Sequence, residues 1–524
     1  MTEYTVTMID SAGIQNYIFG SNNLQHNVGA SWLVHCATND WVFEGLVELG
    51  KTNVDIKGNI DPDAAIENSS LNSELVYAGG GNTVILFRGK ELAIKFTKQI
   101  TRRVLVKAPG LQLVVCHTDF DWDKPQLTQA VLDTVCDVNK KKHNRSVSSH
   151  VLGLGVTADC QYTGLPAVDI HPESGSNPKK NVRISGEIAA KWRSFKDANK
   201  ELQKKFPLHD DYLEYVSNFN DFGTKHESSY IAVVHTDGNG MGKRVQDISD
   251  QYSADNREYV KAIRAFSESV EEQTKKALDA SISQLAESID KGKIGDVQIR
   301  DGKLPFRPIV FGGDDVTFVC DGRLGLTLTE FYLRKLTSQD SKLSDKEPIS
   351  ARAGIAIVKS HYPFSRAVTL AEDLAKSAKN YINGRDISAM DWHFAASGPI
   401  GSLDDIRKRE YTVDDGELYM RPLCLGESVG ADWHSWGTFT AIIGEFKKDW
   451  SDRRNKLMDL REALRAGPET VEQFVTAYEP HRLPEIKNNP TSSRRTGWVD
   501  QRCTCFDAIE AMDFFIPLKG GGGK

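Results

Sequence analysis

C-x-x-C pairs are missing from this chain. Its eight cysteines, Cys36, Cys116, Cys136, Cys160, Cys320, Cys424, Cys503 and Cys505, are spread thinly through 524 residues and form no C-x-x-C. That excludes a disulfide framework and reads as reduced, buried thiols in a cytoplasmic protein. No run of about 20 apolar residues occurs, so no membrane-spanning helix is expected. The start, MTEYTVTMIDSAGIQ, lacks the charged and apolar regions of a signal peptide. Positive charge is short as well: 65 Lys and Arg face 72 Asp and Glu, a net −7. Nucleic acid would have to be held through local patches, whereas a nucleoside triphosphate that brings its own metal suits this balance.

What is present is strand and helix in alternation. The length predicts three or four domains at roughly 100–200 residues each. Residues 4–9, YTVTMI, read as a strand that ends at Asp10-Ser-Ala-Gly13. A helix, a polar stretch at 50–73 and a hairpin from Leu75 to Phe87 follow, with Gly79-Gly80-Gly81-Asn82 at its tip. A helix over 91–103 and strands over 111–116 and 151–160 complete this half. The second half runs in the same order. An apolar strand, Tyr230-Ile-Ala-Val-Val-His235, ends at Thr236-Asp237-Gly238-Asn239-Gly240. A long helix over 254–291 comes next, then two strands flanking Gly312-Gly313-Asp314-Asp315, a helix over 326–336, a strand over 351–358 and a helix over 365–379.

Spacing supports a duplication. Asp10 lies 69 residues before Gly79, and Asp237 lies 75 residues before Gly312. The second copy alone has acids at its hairpin tip. Between the copies, 170–228 is lysine-rich and reads as a helical linker or a solvated basic face. Beyond 400 the pattern turns helical. Phe446, Trp450, Leu457, Leu460 and Leu464 space one helix over 445–466, closed by Gly467-Pro468, and the GGGGK end reads as a flexible tail.

The chemistry concentrates at Asp237, Asp314 and Asp315. Two glycines allow a tight hairpin and close approach of a ligand to the backbone. Adjacent aspartates repel unless a cation neutralises them. If the Asp237 strand lies beside the hairpin, three hard oxygen donors converge, a set suited to Mg²⁺ or Mn²⁺. Gly238, Asn239 and Gly240 form a turn into a helix that can offer N–H groups to phosphates, with Lys243 as a charge partner. An ordinary acidic β-turn is the alternative for GGDD taken alone.

Taken together, the GGDD hairpin, TDGNGMGK about 75 residues before it and SARAGIAIVKSHYPFSRAVTLAEDLAKSAK after it resemble the large subunit of type III CRISPR complexes, the CRISPR polymerase. IDSAGIQNYIFGSNNLQHNVGAS resembles the start of that family's first palm domain. The resemblance implies an α+β fold: two ferredoxin-like palm domains, a small linker domain and a C-terminal helical, thumb-like domain. The expected divisions are 1–160, a degenerate palm; 161–228, the linker; 229–400, the catalytic palm; and 401–524, the helical domain.

It further implies nucleotidyl transfer on ATP, giving a cyclic oligoadenylate messenger in antiviral defence. Asp237, Asp314 and Asp315 would bind metal and catalyse. Gly312 and Gly313 would sit beneath the nucleotide, Lys376 or Lys379 would approach the triphosphate, and Gly81 and Asn82 would face the acceptor. Implied partners are nucleoside triphosphates, RNA and other CRISPR-type subunits, with a monomer active through its paired palms.

Departures are visible too. The HD nuclease domain of many members is expected to be lacking, and His209-Asp210 lacks partner ligands. Cys160-Gln-Tyr-Thr-Gly-Leu-Pro-Ala167 resembles the start of the family's zinc-binding domain but has lost the second cysteine, and Cys160 with His171 would need two further ligands, so no zinc is expected. The rival readings are a GTP-using enzyme of the diguanylate-cyclase kind, suggested by the likeness of GGDD to GGDEF, and a non-catalytic nucleotide or RNA sensor.

Overall fold

The computed structural model describes residues 3–144, 155–172, 181–208, 210, 212–223, 229–338, 341–395, 401–426, 433–450, 453–478, 483–484 and 491–519. Alternation along the first strand, Glu3–Ala12, sends Tyr4, Val6 and Met8 into one core and Ile9 into another. A strand buried on both faces belongs at the middle of a sheet. There it pairs antiparallel with Asn82–Phe87 on one side and Gln112–Asp121 on the other, and Ser73–Gly79 forms the edge. Three helices (Ile14–Phe19, Leu24–Thr38 and Asp40–Leu49) fill the first crossover, and Lys90–Lys107 fills the second. This βαββαβ order is the ferredoxin-like plan.

The second half repeats it. Tyr230–Gly238 lies between Asp315–Asp321 and Ala351–Lys359, and Phe306–Gly312 pairs with Asp315–Asp321 as the hairpin. Met241–Gln251 and the 32-residue helix Asn256–Glu287 fill the first crossover, and Gly325–Leu336 fills the second. The sheet then grows past the repeat. Ala389–Ala395 joins parallel to Ala351–Lys359 after the helix Phe364–Ile382, and Leu423–Cys424 adds a short outer strand.

Register shows how closely the halves correspond. Asp10 pairs with Asn82. In the second sheet Thr236 pairs with Val316, which sets Asp237 opposite Asp315. Gly79 pairs with Asn82 and Gly312 with Asp315, so Gly79-Gly80-Gly81-Asn82 occupies the place of Gly312-Gly313-Asp314-Asp315. Each hairpin carries one bulge, between Leu75 and Tyr77 in one and between Pro308 and Val310 in the other. Three residues after each strand-end acid, a left-handed glycine, Gly13 (φ 65°) or Gly240 (φ 69°), starts the next helix.

Three expectations change. Residues 151–154 of the strand expected over 151–160 lie outside the described residues, and 155–160 form turns with a single bridge, Asp159 to Pro166. Glycine and aspartate favour that outcome. The lysine-rich stretch does form a helix, Gly186–Lys205, but Lys191 is buried in it rather than solvated. Its Nζ donates to Tyr17 O at 2.6 Å and to Glu187 Oε1 at 2.5 Å. This helix packs so tightly on Leu24–Thr38 that a Cβ on Gly29 would lie 1.8 Å from Lys191 O.

The helix expected over 445–466 is two, Trp436–Asp449 and Arg454–Arg465. Buried Trp450 turns out of the first and packs edge-on against Phe446. Gly467 and Pro468 then start a further helix, Pro468–Ala477, with proline at its first position, where a backbone N–H is not needed.

Candidate active site

The two hairpins meet tip to tip. A Cβ placed on Gly313 would lie 3.2 Å from Gly80 Cα, and both glycines have positive φ. Glycine is therefore required twice over at this contact. Behind it opens a cleft of about 440 Å³. The second hairpin contributes Gly312–Asp315, and the first half contributes Gly79–Gly81 with the loop that follows Asp10. Asn82 pairs within its sheet and is not among the lining residues, and its buried Oδ1 has no protein partner among the described residues.

Asp237, Asp314 and Asp315 come together. One oxygen from each lies within 4.8 Å of the others. The strand Tyr230–Gly238 brings Asp237, and the hairpin turn brings the other two. Gly238 makes the approach possible, since a Cβ there would stand 2.9 Å from Asp314 Cβ and 2.8 Å from Met241 Cε. Protein crowding around the cleft raises the Asp314 carboxyl above its usual range. Asp315 goes further, to about 7: desolvation acts first, then the charges of Asp314 and Glu372. Asp315 still touches solvent, so it remains open to a ligand. Asp314 and Asp315 make no ion pair among the described residues, and with Asp237 they form a set of hard oxygen donors that fits a divalent cation.

Arg352 sits directly across the sheet from Asp237 and contacts its carboxylate through Nη2. Nη1 donates to Gly238 O at 2.9 Å and to Asn239 Oδ1 at 3.2 Å. Asn239 is buried, and its amide donates to Ser350 Oγ at 3.0 Å and Ile387 O at 3.1 Å. It braces the loop and leaves its side chain little capacity for a ligand. Gly240 caps the following helix, where Lys243 is exposed.

Lys376 and Lys379 are exposed on the helix Phe364–Ile382, one and two turns beyond Glu372. They share its face but are not among the residues lining the cleft. His209 lies outside the described residues. Cys160 is buried and its sulfur accepts from Tyr162 N at 3.4 Å, while the His171 ring packs on Trp192.

Arg352 and Glu372 were not singled out in the sequence. An arginine inside the otherwise apolar ARAGIAIV was the available signal for the first. For Glu372, whose influence on Asp315 depends on how the helix docks, there was none.

Residues 230–389 match the family model described as Cas10/Cmr2, second palm domain. Solved structures share the fold along nearly the whole chain. A Csm1–Csm4 cassette in complex with cA4 aligns at TM-score 0.56 and 12% identity, over 98% of this chain and 69% of that one. A cassette with one ATP aligns at 0.54 and 12%, over 98% and 70%. Csm1 of T. onnurineus aligns at 0.53 and 15%, with the same coverage. No curated protein sequence matches the chain. Residues 230–389 therefore form a palm of the Cas10/Cmr2 second-palm kind, and along nearly its whole length the chain shares the fold of the Csm1 structures.

Proposed function

We propose that this protein joins ATP molecules into a cyclic oligoadenylate, with the donor nucleotide on the second palm and the acceptor on the first. The observation that carries this is the acidic pair at the tip of one hairpin, joined by Asp237 from the adjacent strand and facing a glycine turn of a second palm across a shared cleft. Joining two triphosphates needs an acceptor hydroxyl about 3–3.5 Å from the donor α-phosphate, and one palm surface holds only one of them. The cleft volume lies within the usual range for small-molecule sites. Solved relatives bound to ATP and to cA4 agree with this substrate and product class.

Asp237, Asp314 and Asp315 would hold Mg²⁺ or Mn²⁺, which when bound supplies positive charge to the phosphates and acidifies an attacking ribose hydroxyl. Arg352 holds the Asp237 carboxylate in place. Gly238 lets Asp314 close over the loop, and Gly312 and Gly313 let a nucleotide approach the backbone. Gly79–Gly81 of the first palm, without side chains, leave room for the acceptor. Lys376 and Lys379 are proposed to meet the outer phosphates by a change of rotamer. The structures of Csm1–Csm4 cassettes point to a second CRISPR-type subunit as partner. Catalysis then rests on positioning and charge rather than on a covalent intermediate.

The test is incubation with each radiolabelled nucleoside triphosphate and Mg²⁺ or Mn²⁺, with chromatographic separation of products. Oligoadenylate from ATP, lost in the Asp314→Ala/Asp315→Ala variant, is expected. Product from GTP alone would replace this reading with the diguanylate-cyclase kind. No product from any triphosphate, alone or with a partner subunit and RNA, would leave a sensor.

A further inference from the structure

Beside the cleft, on the far side of Phe311, lies a second and smaller cavity of about 50 Å³. Its wall includes Ser31, His35, Ala198, Lys205, Arg307 and Phe311, and Lys205 and Phe311 also line the catalytic cleft. Arg307 is fully buried. Its Nη1 donates to Asn199 Oδ1 at 2.8 Å and to Val216 O at 3.0 Å. Nε and Nη2 have no hydrogen-bond partner, and the guanidinium has no carboxylate partner, among the described residues. The Phe195 ring, 5.3 Å from Cζ, offers only modest compensation.

The N–H groups left over are the side-on pair, Nε and Nη2. This is the edge by which arginine takes a carboxylate or phosphate with two parallel hydrogen bonds. The same edge of Arg244 does this for Asp345 in this protein. A buried charge without an opposite charge is costly. Water satisfies the N–H groups but not the charge. Burial also holds the Arg307 guanidinium down to about 10.

Lys205 adds a second cation to the wall; its acidic neighbours are exposed Glu271 at 4.0 Å and, farther off, Asp40, while Glu201, which also lines the cavity, is paired with Lys204 at 3.4 Å. The volume is right for one small oxyanion. At about 50 Å³ it exceeds the roughly 10–15 Å³ a cavity needs to hold one water, so it has room for a small polar guest.

We propose that Arg307 and Lys205 form a phosphate-binding site, separate from the acidic triad, behind the strand that carries the catalytic hairpin. The phosphate group is the ligand, whether as a free anion or as part of a nucleotide reaching in past Phe311. An occupant would tie the strand Phe306–Gly312 to the helix Gly186–Lys205 through charge.

The test is isothermal titration calorimetry of the full chain in EDTA at constant ionic strength, with inorganic phosphate, pyrophosphate and ATP in separate arms. EDTA removes divalent cations, so the acidic triad repels all three. Saturable binding of inorganic phosphate is expected. It should weaken at least tenfold in Arg307→Met and several-fold in Lys205→Met, and stay unchanged in Asp314→Asn/Asp315→Asn. An Arg307-dependent gain for ATP over inorganic phosphate would assign the site to a nucleotide phosphate, and equal or weaker ATP binding to a free anion. Absence of saturable binding to any of the three would overturn the proposal. So would its loss in Asp314→Asn/Asp315→Asn, or wild-type affinity in Lys205→Met. Lys205 is half-buried, so that variant decides the matter if Arg307→Met fails to fold.

Discussion

The two palms share a backbone and differ in charge. In the first, Asp10 is held by Lys142 at 2.5 Å, and the hairpin opposite ends in Gly81-Asn82. In the second, Asp237 is held by Arg352, and the hairpin ends in Asp314-Asp315. One acid with one lysine is a closed account electrically. Three acids with one arginine leave negative charge over, and that surplus is what a cation would answer. The glycines at the turns and at the helix starts are common to both, so they serve the fold and the close approach of the palms. The strand-end acid is common too, but the two hairpin acids are not, and under the proposed function they mark the half that would do the chemistry.

The sharpest way to break the comparison is to make the second palm like the first. Asp314→Gly/Asp315→Asn copies the first hairpin into the second, and product formation should fall on the order of 10³-fold. The melting temperature should hold or rise, because the Asp315 carboxyl, lifted to about 7 first by desolvation and then by the charges of Asp314 and Glu372, is replaced by a neutral amide. Undiminished turnover in a labelled-ATP assay would move catalysis away from the hairpin.

Arg352→Met comes next. It leaves Asp237 without its cationic partner and should cost about 10–100-fold in turnover, as supporting contacts around metal ligands commonly do. The check is a metal titration of activity, in which the half-saturating Mg²⁺ or Mn²⁺ concentration should change with the rate.

Asn82→Ala touches the first palm only. A several-fold rise in KM for ATP with little change in kcat is expected, acting through the Gly79–Gly81 turn that Asn82 anchors in the sheet rather than through contact with the nucleotide. A collapse of kcat would show that the first hairpin takes part in the reaction itself.

The smallest effect is expected for Asp10→Asn. It breaks a partly solvated pair with Lys142, so stability should change by less than about 1 kcal/mol and activity by less than about twofold. Urea melts and the product assay measure the two separately. A metal requirement altered by this change would mean that the first palm also binds a cation.

Much of this comparison was legible in the sequence, because it is local. Gly-Gly-Asp-Asp between two apolar runs specifies a hairpin with an acidic tip, and an acid after an apolar strand specifies the third carboxylate. What could not be read depends on docking between distant segments. Lys191 looks like any lysine of a charged helix until that helix is laid across Leu24–Thr38 and Nζ meets Tyr17 O. Glu372 acts on Asp315 only because Phe364–Ile382 packs on the second sheet. The end of a helix at Trp450 follows from burial of its indole, which periodicity alone does not reveal.

The bulge present in both hairpins has a consequence for descent. A bulge adds one residue to one strand and so shifts the phase of every side chain beyond it. Without it, the residues of the strand between bulge and turn would exchange faces, and the glycine pair would no longer meet its counterpart. Both palms carry it at the matching place, three pairs from the turn, although their turns have diverged from GGGN to GGDD. If the two halves descend from one duplicated segment, as their spacing suggests, the shared bulge predates the doubling and the change from GGGN to GGDD at the turn marks where they parted.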